Sequence, residues 1–423
     1  MVRSFLLISL GSVFLVQASG ERGSLDPAFE KIPFDQWLSE HGQGPFRWAV
    51  APTRAELTFH QRLAAQIEVK VDGRSLESRR GDGELVFFFQ MTDRDGTRYQ
   101  AHASVQLSKL DENIKAVNLD VTERAFVLPG DYQLAVGLLD TGTGEHSATE
   151  SKFRVPTPRN FLPGAWHDLA PVEFIHQEQP PDSWYLPGIT DRLQWAAPVH
   201  SPARINIILN VAPSLQAPGT HLAPSGGLAA ILPTLKVITQ AGSPSVSEHV
   251  ELLDLPRRRA PFQQDQVHNL DWPRLKASFH EASTASIDVH SLTERHHDAQ
   301  FFVSQVRTLL RASEKQPCVL VVLTNPVAFE PGEDLEPIST EALPACSVFY
   351  IRFHEPAPTV AQFDPEMGRG RSRRGGPIRN RPAREVVDQL EATLKPLRPK
   401  VFDVAMPEEV TKVLDEIERL LQR

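Results

Sequence analysis

Apolar and polar positions alternate in two different ways along this chain. From residue 46 to about 157 the period is two. Gln66-Ile67-Glu68-Val69-Lys70-Val71 alternates strictly, and Leu85-Val86-Phe87-Phe88-Phe89-Gln90-Met91 is a continuous apolar run. Asp93-Arg94-Asp95-Gly96 marks a turn, after which Thr97 to Leu107 returns as a second strand. Phe126-Val127-Leu128 leads through Pro129-Gly130-Asp131 into Tyr132–Asp140, and Thr141-Gly142-Thr143-Gly144 turns the chain into Ser151–Pro156. Short strands punctuated by turn residues at this spacing predict an antiparallel β-sandwich. Asp93 could also open a calcium loop, but no downstream glutamate stands at the required offset, so a hairpin turn is expected.

Beyond residue 200 the pattern becomes apolar runs alternating with helical periodicity. Strands are expected at Ile205–Leu209, His249–Leu255, Ala285–Val289, Cys318–Leu323, Cys346–Phe353 and Lys400–Val404. Helices are expected around Leu228–Ala241, Trp272–Ala282, Asp298–Ala312 and Glu385–Leu394, with a last one at Pro407–Leu421. Pro407 at the first turn, followed by Glu408 and Glu409, is a favourable helix start. Continuous apolar strands alternating with helices predict a doubly wound parallel α/β sheet.

The first of these strands ends in Asn210-Val211-Ala212-Pro213-Ser214, and a later one in Leu323-Thr324-Asn325-Pro326. With the order of elements over 200–423, these endings resemble a von Willebrand factor A (VWA) domain, and the A-domain-related secreted proteins of acidobacteria. In that family a metal sits at the carboxyl ends of the strands, held by Asp-x-Ser-x-Ser, a threonine and a later aspartate. The resemblance implies a degenerate metal-ion-dependent adhesion site. Asn210 stands for the first aspartate, Ala212 for the first serine and Asn325 for the later aspartate, while Ser214 remains. A hard divalent cation needs carboxylate oxygens. No tight Mg²⁺ or Mn²⁺ binding and no cofactor are therefore expected, and Asn210, Ser214, Thr324 and Asn325 are read either as a polar rim for a partner or as caps on strand ends.

The organisation read from these patterns is a signal peptide over 1–18, a helical arm over 19–45, an immunoglobulin-like β-sandwich over 46–157, a connector rich in aromatic residues and proline over 158–199, and a VWA-like α/β domain over 200–423. A flexible Arg/Gly-rich insertion is expected at about 362–383, with Arg371, Arg373 and Arg374 among its charges. The signal rests on Arg3, the apolar run Phe5–Val16 and small residues before a cleavage site after Ala18. No stable membrane anchor is expected after cleavage. The formal charge of −9 argues against general nucleic-acid binding.

The two cysteines, Cys318 and Cys346, each open an apolar strand. An oxidising compartment would favour a disulfide between them, and two buried thiols are the alternative. His290, His296 and His297, with His280 and Glu281 nearby in sequence, invite a metal hypothesis. Neighbouring helix residues point about 100° apart, however, so His296 and His297 do not easily face one ion. No Gly-x-Ser-x-Gly elbow and no phosphate-cradling Gly-x-x-x-x-Gly-Lys loop occur. The expectation is a secreted or periplasmic, non-catalytic interaction protein of adhesion or adaptor type with a protein partner. The alternatives are an extracytoplasmic hydrolase or metalloenzyme using the histidines near 290–297, and a structural envelope component.

Overall fold

The computed structural model describes residues 25–40, 44, 46–51, 53–158, 169–175, 202–210, 225–240, 245–267, 270–284, 297–313, 317–325, 338, 346–354 and 389–422. The expected signal peptide, most of the connector and the Arg/Gly-rich segment lie outside these residues. The chain divides into two compact units, Met1–Leu193 and Gln194–Arg423.

The first unit holds two antiparallel sheets. One contains β1 (Trp48–Val50), β2 (Arg54–Leu57), β3 (Leu63–Asp72), β6 (Asn118–Val127) and β9 (Val172–Phe174), with β3 and β6 paired along their full length. The other runs β5-β4-β7-β8, built from β4 (Glu84–Thr92), β5 (Arg98–Gln106), β7 (Gly130–Asp140) and β8 (His146–Val155). On β3, Leu63, Ala65, Ile67, Val69 and Val71 are buried, as the period-two pattern requires.

Strand β4 is apolar on both faces for a local reason. Its outward Val86 and Phe88 are covered by the segment before β1, where Phe29, Phe34 and Trp37 pack on them with Ala135. That segment is a short 3-10 turn at Phe29–Lys31 and a helix α1 at Phe34–Ser39, with Pro33 between them, and a short helix α2 (Gly73–Glu77) follows β3. The turn after β4 consumes its own aspartate. Asp93 Oδ1 accepts from the backbone N–H groups of Asp95 and Thr97, each at 2.9 Å, and Gly96 adopts φ 82°. Tyr132 lies at the start of β7, with its hydroxyl 2.8 Å from the Leu128 carbonyl and 3.1 Å from that of Pro171.

The second unit contains one six-stranded sheet in the order β12-β11-β10-β13-β14-β15. Its strands are β10 (Ala203–Asn210), β11 (Val246–Asp254), β12 (Arg259–Asp265), β13 (Cys318–Thr324), β14 (Cys346–Phe353) and β15 (Lys400–Val404). All neighbours run parallel except β11 and β12. The helices of this unit are α3 (Ser225–Gln240), α4 (Trp272–Thr284), α5 (Asp298–Arg311), α6 (Gln389–Leu394) and α7 (Pro407–Leu421). Phe302, Val303, Val306, Leu309 and Leu310 of α5 pack with Ile208, Leu320, Val322 and Tyr350, which places this helix over one face of the sheet.

The expected fold class, an immunoglobulin-like β-sandwich joined to a doubly wound VWA-like α/β domain of Rossmann type, requires correction. Among the described residues strand outweighs helix, 43% to 32%, in three sheets, and no clear doubly wound α/β domain is shown. The reason is visible in particular segments. Arg259–Asp265, which carries no alternation strong enough to read, is a strand, and it runs antiparallel at the sheet edge. The helix expected at Glu385–Leu394 is described only as Gln389–Leu394, and the long N-terminal helix as a turn and six residues. The strand expected at Ala285–Val289 lies outside the described residues.

Candidate functional site

The carboxyl ends of β10, β13, β14 and β15 bring a row of polar side chains to one end of the six-stranded sheet. Pairing sets Asn210 beside Thr324, Thr324 beside Arg352, and Arg352 beside Asp403. Register partners point to the same face of a sheet, so these residues stand side by side.

The row has a buried half and an accessible half. Asn210 and Thr324 are fully buried. Asn210 Nδ2 donates to Thr324 Oγ1 at 3.0 Å, and Thr324 Oγ1 donates to the Asn325 carbonyl at 2.7 Å. This is a neutral chain of hydrogen bonds that locks two strand ends together. Asn325 is half-buried, and Ser214 lies outside the described residues. Of the residues read from the sequence as a rim, Asn210, Thr324 and Asn325 are thus brought together, with only Asn325 reaching the surface.

The accessible half was not read from the sequence. Arg352 Nη1 donates to Glu391 Oε2 at 2.8 Å, and its Nη2 donates to Asp403 Oδ2 at 2.9 Å. His354 Nε2 lies 2.8 Å from Asp403 Oδ1. Burial pushes the Asp403 carboxyl up, but the hydrogen bonds from Arg352 and His354 outweigh it and hold Asp403 below the usual carboxylate range. The available signal was the switch from Val348–Ile351 to Arg352-Phe353-His354, where charged residues interrupt an apolar strand on alternate positions.

The opposite end of β13 is fixed covalently. Cys318 and Cys346 are register partners, their Cα atoms are 4.7 Å apart, and they are joined as a disulfide. That separation lies within the range a disulfide accepts.

A second polar cluster sits on the same sheet face toward the amino ends of β10 and β11. Arg204 Nε donates to Asn206 Oδ1, and Asn206 Nδ2 donates to Ser313 Oγ, both at 3.0 Å. His249 Nδ1 lies 2.9 Å from Asp265 Oδ1, and its Nε2 lies 3.7 Å from Glu251 Oε2. On the other face of β11, Glu248 is buried, and neither of its carboxyl oxygens meets a hydrogen-bond partner among the described residues. Burial pushes its carboxyl up to about 8.

Two of the four histidines expected as candidate ligands are among the described residues. His280 and His297 are exposed, and His290 and His296 lie outside the described residues. Among the described residues no group of three or more His, Cys, Asp or Glu side chains is placed to hold a metal ion. No described helix is long and apolar enough to cross a membrane.

No family model matches this chain, and no curated protein matches it. Several solved structures resemble part of it. The ApaA protein from Bordetella pertussis is 12% identical, with 27% of this chain and 97% of that chain covered and a TM-score of 0.18. The Northeast Structural Genomics Consortium target SoR45 is 16% identical, with 27% and 88% covered and a TM-score of 0.18. Likenesses this slight carry no argument about fold or activity.

Proposed function

We propose that this chain is a non-catalytic interaction protein working in an oxidising, extracytoplasmic compartment, either secreted or periplasmic, and that it holds a protein partner at the carboxyl end of the six-stranded sheet. The observation that carries the reading is the division of labour along that end. Asn210 and Thr324 spend their polar groups on each other, so they serve the scaffold. Arg352, His354, Asp403 and Glu391 form an ion network whose carboxylates reach solvent, with side-chain exposures of 60% for Asp403 and 47% for Glu391. Partly exposed, mutually oriented charges are suited to fixing the register of a partner and steering its approach. The Cys318–Cys346 disulfide supports the oxidising compartment, since such bonds persist where thiols are not kept reduced.

The test is affinity cross-linking of the protein from a native envelope extract, with and without EDTA. The reading expects a stoichiometric partner whose recovery is unchanged by chelation. Loss of the partner on chelation would contradict it, because recognition would then run through a metal.

A further inference from the structure

We infer that the imidazolium of His249 is a pH-sensitive clasp that holds the edge strand β12 on β11, closed at mildly acidic pH and loosened at mildly alkaline pH. Among the described residues strand β12 is the antiparallel edge of its sheet and pairs with β11 alone, and its ladder slips between Leu252 and Asp254. Just past its end, Gln266 holds a left-handed φ of 56°, a conformation that costs a non-glycine residue free energy. The edge is therefore weakly held by its backbone, and side chains decide how firmly it stays.

His249 and Asp265 are cross-strand partners. The ring lies between two carboxylates, with Nδ1 at 2.9 Å from Asp265 and Nε2 at 3.7 Å from Glu251. A neutral imidazole has one N–H and would turn a lone pair toward one carboxylate; only the doubly protonated ring presents a donor to both. Arg204 of β10 donates to Asp265 at 3.1 Å. Glu248 lies on the opposite face of β11. Helix α5, over the same face as His249, carries Asp298, Arg307 and Arg311, of which Arg311 is exposed.

Burial alone would push the His249 ring down, but the nearby Glu251 carboxylate and the hydrogen bond with Asp265 outweigh it and raise it above the ordinary 6.5. The clasp is then fully present below that ordinary value and is lost as pH rises through the raised one. Above it, Glu251 and Asp265 face each other with Arg204 as the remaining counter-charge. A loosened β12 would uncover the backbone groups of β11, which are a template for pairing with another strand.

Hydrogen exchange of the full chain tests this, reading β12 amides against β10 amides at about pH 5.5 and about pH 8.5, with intrinsic rates corrected. The expected result is about tenfold lower relative protection of β12 at the higher pH. His249→Gln should give the low value at both, and Glu248→Gln should keep the step. The inference is overturned by equal relative protection at the two pH values, or by a step that survives His249→Gln and vanishes in Glu248→Gln. If His249→Gln fails to fold, NMR titration of the native ring decides. Protonation persisting above about pH 6.5 is required, and a ring that is neutral at and above that pH overturns the clasp.

Discussion

Asn210 and Glu248 are buried polar side chains on neighbouring strands, and they differ in what meets them. The Asn210 amide has the Thr324 hydroxyl at 3.0 Å. Removing it in Asn210→Ala takes away the N–H that the buried Thr324 oxygen accepts and opens a small void, so urea unfolding should show a loss of about 1–3 kcal/mol. Among the described residues Glu248 meets no partner on either oxygen, and the stability it lends depends on staying protonated. Its carboxyl is raised from 4.5 to about 8. The folded chain binds the proton more tightly than the unfolded one, so this contribution is complete below 4.5 and is lost as pH rises through about 8. Glu248→Gln keeps the shape and removes the titration. Melting curves across that range should fall less steeply for the variant than for the native chain, and identical slopes would show that Glu248 is not the buried acid described here.

At the scale of elements, two devices hold pieces of chain that propensity alone would not. The segment from Phe29 to Ser39 is too short to be a stable helix by itself. It is fixed by Phe29, Phe34 and Trp37 on β4 and β7, and by the pairs His102–Asp26, His146–Glu40 and Arg98–Asp35. A buried aromatic ring contributes about 1.5–3 kcal/mol, against about 0–1 for an exposed ion pair, so the rings decide. Phe34 also explains Gly137, where an added Cβ would come within 2.5 Å of the Phe34 ring. Gly137→Ala should therefore displace the segment, and limited proteolysis should cut it faster; unchanged cleavage would mean that the close approach has slack. The second device is the Cys318–Cys346 disulfide, which closes 28 residues of chain between adjacent strands. Replacing both cysteines by serine should cost about 2–4 kcal/mol, read by denaturant midpoint.

At the scale of the whole molecule, the sequence was legible where burial on a strand is complete or strictly alternating. Period two foretold β3, and the apolar runs foretold β10, β13 and β14, because those positions answer to burial alone. Strand β12 was not legible, since an edge strand with a half-buried Arg259-Ala260-Pro261 start carries neither pattern. The fold class failed in part for the same reason, since the edge strand β12, which periodicity does not report, adds strand where none was expected. Asn210, Thr324 and Asn325 were identified as a strand-end group, but burial, which a sequence does not print, makes the first two structural. Arg352, His354, Glu391 and Asp403 were missed because three separate elements assemble them. The central claim is that this network is where a partner is held, and the most direct measurement is partner capture by the native chain beside Asp403→Arg, with the fold of each checked by circular dichroism. The account predicts that the charge reversal, in a folded chain, removes at least about nine-tenths of the captured partner, as a loss of about 1.4 kcal/mol or more requires. Undiminished capture by a folded Asp403→Arg chain would contradict it.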